Sequence, residues 1–99
     1  MARKNLLVAR TAAELAEILG LTPADAQEWE IRGQLADRIA QEVKRRKLTH
    51  AQAAKLAGTS RSRMTAIING GLPGISTDLL LRVLASFGVR AKLTFLRAA

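Results

Sequence analysis

Thr49-His50-Ala51-Gln52-Ala53-Ala54-Lys55-Leu56-Ala57-Gly58-Thr59-Ser60-Arg61-Ser62-Arg63-Met64-Thr65-Ala66-Ile67-Ile68-Asn69-Gly70 is the stretch on which the reading of this 99-residue chain turns. It reads as a short helix, a tight turn and a second short helix. Thr49 opens the first, whose apolar residues are Ala53, Ala54 and Leu56. Two helices that cross steeply need a small residue where they approach, and Ala53 supplies it. The turn needs a residue tolerant of positive φ, which Gly58 is. Ser60 caps the second helix. Met64, Ile67 and Ile68 are the apolar residues that seat it, so Arg61, Ser62, Thr65, Ala66 and Asn69 face outward.

A free first turn carrying arginine and serine has the shape and chemistry to enter the major groove of duplex DNA. Arg61 or Arg63 can hold guanine O6 and N7 with two hydrogen bonds; the alternative for each is a phosphate clamp or a solvated surface arginine. Ser62 and Thr65 can donate or accept. Ala66 either packs on a thymine methyl or faces solvent. Asn69 either bonds a phosphate or closes the helix before Gly70. Arg46 and Lys47 belong to the run Lys44-Arg45-Arg46-Lys47, which either contacts phosphate or complements the carbonyl end of its own helix.

Outward from this stretch the chain reads mostly helical. Residues 1–5 read as frayed and 6–9 as a short strand. Thr11 and Glu14 have capping-box spacing. The helix they open carries Leu15, Ile18 and Leu19 and stops at Gly20. Thr22, Pro23 and Asp25 start another, read to about Arg32, with Trp29 expected in the core. Gly33 is open between a kink, a close contact and a break. Leu35, Ala36, Ile39, Ala40 and Val43 form a helical core stripe. Gly70 to Gly74 is a loop. Ser76 or Thr77 caps a last helix with Leu80, Val83, Leu84 and Phe87 inward, ended by Gly88. Residues 89–96 then alternate, with Val89, Ala91, Leu93 and Phe95 against Arg90, Lys92 and Thr94, which predicts a half-buried strand. A lone strand cannot satisfy its backbone, so its partner would be residues 6–9 or a second copy.

The net charge of +8 is unevenly spread. Residues 1–30 sum to −2 and residues 31–99 to +10. Such a field attracts polyanions, nucleic acid first and acidic membranes or proteins second. Three aromatic residues in all disfavour base stacking on single-stranded RNA. The absence of cysteine excludes disulfides, thiol catalysis and cysteine-ligated metal, and fits a reducing compartment. The single histidine lacks a paired nucleophile, so no catalytic site, metal site or cofactor is expected. No apolar run approaches a membrane span, and Leu6-Leu7-Val8 is too short for a signal-peptide core. The expected location is the cytoplasm.

Residues 35–87 resemble the Cro/phage-repressor (XRE) helix-turn-helix family. The resemblance is carried by Leu48-Thr49-x-x-x-x-Ala54-x-x-x-Gly58-x-Ser60, the close Ile67-x-x-Gly70, and Ser76-x-x-x-Leu80-Leu81-x-x-Leu84-x-x-x-Gly88. The last of these is similar to the subgroup of HigA-like antitoxins and small stand-alone regulators. The resemblance implies a mainly α fold, a five- or six-helix lambda-repressor-like domain, here with a short C-terminal β-strand. It divides the chain into an acidic helical extension (1–32), the DNA-binding domain (33–88) and a terminal strand and tail (89–99). By position, Thr49 starts the first motif helix. His50 stands where the family usually has a phosphate-binding glutamine. Ser60, Arg61, Ser62 and Ala66 take the base-facing positions, with Ala66 in place of a longer reader. The implied function is a regulator, expected to be a repressor, acting as a homodimer on a palindromic operator. The alternative is an antitoxin that neutralises a RelE-like toxin ribonuclease and regulates its own operon.

Overall fold

A computed structural model describes residues 12–20 and 22–97. Among these residues five helices follow one another: α1 (Ala12–Leu19), α2 (Pro23–Arg45), α3 (His50–Ala57), α4 (Arg61–Ile68) and α5 (Thr77–Ser86). The expectations for residues 1–11, including the strand at 6–9 and the Thr11 cap, lie outside the described residues.

The helix boundaries follow local chemistry. α2 opens with a reciprocal capping box: Thr22 Oγ1 accepts from the Asp25 amide at 3.1 Å, and Asp25 Oδ2 accepts from the Thr22 amide at 3.1 Å. Pro23 fills the first helical position, where its missing N–H costs nothing. The helix then runs unbroken through Gly33, at which an added Cβ would meet no atom within 4 Å. Gly33 is therefore neither a break nor a close-approach point. Its propensity cost of about 1 kcal/mol is outweighed by the apolar stripe that follows. α2 ends where Lys47 adopts the left-handed conformation (φ 54) and Leu48 N–H reaches back to Val43 O at 3.1 Å.

The core is one cluster. From α2 come Leu35, Ala36, Ile39 and Val43; from α3, Ala53 and Ala54; from α4, Met64 and Ile67. Leu72 and Ile75 of the glycine-rich loop join them, with Leu80, Val83, Leu84 and Phe87 from the last segment. α1 packs on α2, α3 on α4, and α5 on both α2 and α3. Trp29 is 47% exposed, not the core residue its amphipathic position suggests. It lies one heptad before Ala36, but the cluster starts only at Leu35, with Ile31 at its edge.

Residues 89–96 form no strand, and none occurs among the described residues. Gly88 (φ 76) turns the chain back, and Val89 N–H closes the end of α5 on Leu84 O at 3.0 Å. Val89 is half-buried, but both parities of the alternating pattern beyond it are exposed: Leu93 66%, Phe95 88% and Leu96 89%. No extended neighbour is present among the described residues to take up the backbone groups, and alternation without a partner does not make a strand.

Glu42 is the one buried charged residue among those described. Arg45 Nη2 lies 2.6 Å from Oε1, Arg38 Nε 3.2 Å from Oε2 and Arg46 Nη2 3.3 Å from Oε1. The Arg45 hydrogen bond, helped by Arg38 and opposed by desolvation, holds the carboxyl below its ordinary range. An unfolded glutamate titrates near ~4.3. The stabilisation is therefore complete above that pH and is lost as pH falls through the lower folded value. Glu42→Gln is expected to be less stable than wild type at neutral pH, with the two unfolding free energies converging below about pH 4. Denaturation series across that range check this; an unchanged acid slope in the variant contradicts it.

Candidate nucleic-acid interface

The two helices of the motif are set by their ends. Thr49 makes a capping box with Gln52: its Oγ1 accepts from the Gln52 amide at 3.1 Å, and Gln52 Oε1 accepts from the Thr49 amide at 2.9 Å. Gly58 (φ 70) ends α3, and Thr59 N–H returns to Ala54 O at 3.0 Å. A left-handed residue here turns the chain within three positions, and only glycine adopts it without a Cβ penalty. Ser60 then caps α4, its Oγ accepting from the Arg63 amide at 3.1 Å. With Met64 and Ile67 fully inside, the first turn of α4 stands clear: Arg61, Ser62 and Arg63 are all exposed.

The other expected site residues divide. Lys47 and Thr49 are exposed. Ser60 is exposed, and its oxygen is engaged in the cap. Asn69 is the C-cap of α4, its N–H bonded to Thr65 O at 3.0 Å. Ala66 is half-buried against the core, and its carbonyl accepts from Gly71 N–H at 2.8 Å. Arg46 is exposed, but its guanidinium is engaged within the protein. It donates to Phe87 O, lies 3.3 Å from Glu42 Oε1 and stands 5.0 Å over the Phe87 ring, tying the end of α2 to the end of α5. His50 and Thr65 are both half-buried and touch: Nδ1 lies 2.9 Å from Oγ1. That pairing spans fifteen residues and leaves no periodic trace in the sequence.

The electrostatics are one-sided. From residue 43 to residue 77 the chain has no Asp or Glu, against Lys44, Arg45, Arg46, Lys47, Lys55, Arg61 and Arg63. Arg61 and Arg63 make no ion pair with a described residue. Such a surface gathers anions and disfavours cations. Among the described residues no group of three or more histidines, aspartates or glutamates is placed to hold a metal ion, and no described helix is long and apolar enough to cross a membrane.

The chain matches the family described as a helix-turn-helix domain over residues 20–95. No curated protein and no solved structure matches it.

Proposed function

The chain belongs to the helix-turn-helix domain family, and from that premise we propose that it is a sequence-specific, double-stranded-DNA-binding transcriptional regulator of the XRE class. The observation that carries the proposal is the exposed, capped first turn of α4. It offers Arg61, Ser62 and Arg63 from within a stretch that holds no carboxylate. In this reading Arg61 reads a guanine edge, Arg63 and Lys47 lie toward phosphates, and the protein acts in the cytoplasm as a repressor, by occupancy rather than catalysis. Two copies would set their α4 helices ~34–36 Å apart on a palindromic operator. The exposed Leu81, Leu93, Phe95 and Leu96 supply apolar surface for that pairing.

Selection of bound sequences from a random duplex library at two salt concentrations tests the reading. It yields half-site, symmetry and electrostatic share together, because log K falls by about 0.9 per neutralised phosphate for each log unit of salt. Arg61→Ala is expected to cost ~1–3 kcal/mol on the selected duplex and to relax the preference at one base pair. Unchanged preference in that variant removes Arg61 from the base-reading role. Absence of salt-sensitive duplex binding by wild type removes the function.

A second reading is favoured by the other end of the chain. α1 and the first turns of α2 carry Glu14, Glu17, Asp25, Glu28 and Glu30 beside exposed Ile18, Leu19 and Trp29. An acidic face with apolar anchors suits a basic protein, as an antitoxin needs for a RelE-like toxin, with DNA binding serving autoregulation. A neighbouring gene for a small basic toxin favours this reading. In a pull-down the toxin complex would depend on residues 11–30 and survive Arg61→Ala.

A further inference from the structure

The contact between His50 and Thr65 joins the first turn of α3 to the last turn of α4, across the turn that the motif is built on. A threonine hydroxyl can donate or accept, whereas a neutral imidazole carries its proton on one nitrogen only. For the neutral ring two arrangements therefore fit the 2.9 Å separation. If Nδ1–H donates to Thr65, Nε2 on the opposite ring edge is left as an acceptor, which a phosphate oxygen repels. If the hydroxyl donates to Nδ1, Nε2 carries the proton and is a donor.

We propose that Thr65 is a positioning residue for DNA: its Oγ1–H donates to His50 Nδ1, fixes the Nε2–H tautomer, and aims that N–H at a backbone phosphate. The inference rests on the DNA-binding reading above. Several observations carry it. Thr65 is half-buried and its Oγ1 lies 2.9 Å from His50 Nδ1, so the two side chains are held against each other within the protein. No carboxylate occurs between Glu42 and Asp78, so the motif offers no anionic acceptor of its own for Nε2–H. The β-branched threonine is stiff about χ1 in a helix, which gives the ring a fixed abutment. Thr65 thereby acts through His50, and its effect is independent of base sequence.

The test uses the full chain, a duplex recovered by the library selection and a shuffled duplex of equal length. Binding is followed by fluorescence anisotropy at one salt concentration and at a temperature where circular dichroism shows every variant folded. Thr65→Val, which keeps the shape and removes the hydroxyl, is expected to weaken both duplexes by the same factor, roughly threefold to tenfold. Thr65→Ser restores binding. In a His50→Ala background Thr65→Val has no further effect. Imidazole 15N shifts of the free protein report the Nε2–H tautomer in wild type and loss of that bias in Thr65→Val.

Three results overturn the inference while leaving DNA binding standing: an effect of Thr65→Val on the selected duplex alone, which makes Thr65 a base reader; full additivity with His50→Ala; or an Nδ1–H tautomer in the free wild type. Failure of wild type to bind either duplex overturns both proposals.

Discussion

Met64→Ala is expected to lower the unfolding free energy by about 2–5 kcal/mol. Met64 is fully buried and is one of the two side chains of α4 that lie wholly inside the core. Truncation removes its transfer free energy and leaves a cavity where α4 packs on α2, inside the cluster that also holds Ile39 and Leu80. An eight-residue helix has little stability of its own, so what holds α4 in place is this seat and the Ser60 cap. Equilibrium denaturation measures the cost. Leu56→Ala, at a side chain 49% exposed on the neighbouring helix, is the control and is expected to move stability by no more than about 0.5 kcal/mol. DNA binding by the folded fraction of Met64→Ala should weaken as well, because Arg61 and Ser62 keep their places only while α4 is seated. A Met64→Ala protein as stable as the Leu56→Ala control contradicts the packing described for α4.

What could be read from the sequence was what short-range chemistry decides. Thr22, Thr49, Ser60 and Ser76 cap helices because a hydroxyl reaches the amide three residues on, and nothing distant is needed. The 3.6-residue stripe from Leu35 to Val43 and the inward set Leu80, Val83, Leu84 and Phe87 were legible for the same reason. The alternating pattern at 89–96 misled because a strand is a property of two segments, and periodicity reports one. Trp29 misled because a helix face is apolar whether or not a neighbour covers it. In the candidate site, the exposed turn Arg61–Arg63 followed from local rules. The bond from Arg46 to Phe87 O and the contact between His50 and Thr65 did not, since their partners lie forty-one and fifteen residues away. Lys44 to Lys47 read as a single charge run, yet the fold divides it: Arg45 and Arg46 serve Glu42, while Lys47 stands exposed in a left-handed turn.

Arg32→Met is expected to destabilise the fold by roughly 2–4 kcal/mol through the loss of charge-assisted hydrogen bonds to buried carbonyls, a second large effect at a residue that no motif marks. Its Nη2 donates to both Leu72 O and Ile75 O, and its Nη1 lies 3.8 Å from Glu28 Oε1. Leu72 and Ile75 are the buried anchors of the loop that joins α4 to α5. That loop holds a proline and three glycines, two of them in the left-handed region, so it has little regular structure to hold it. The guanidinium is thus the clasp that fixes the loop to α2, and through it the distance between the end of α4 and the start of α5. Methionine fills similar space but donates nothing, and leaves the carbonyls with less than they had; Leu72 O keeps only the Ile75 amide, at 2.9 Å. One term opposes the loss, because Arg32 Nε is itself buried without a partner, and removing it recovers a desolvation cost. Arg32→Lys should fall between the two, since an ammonium lacks the planar fork that bridges two acceptors. Because a domain of this size loses ~4–8 °C of Tm per kcal/mol, the methionine variant should melt at least about 8 °C lower. Hydrogen exchange locates the cause: the Ile75 and Gly71 amides, protected by bonds to Leu72 O and Ala66 O, should be exposed by local opening at a lower free energy than those of the α2 stripe. Loss of protection spread evenly over the molecule would mean that Arg32 supports the whole core, and an unchanged melt would mean that the loop is held by Leu72 and Ile75 alone.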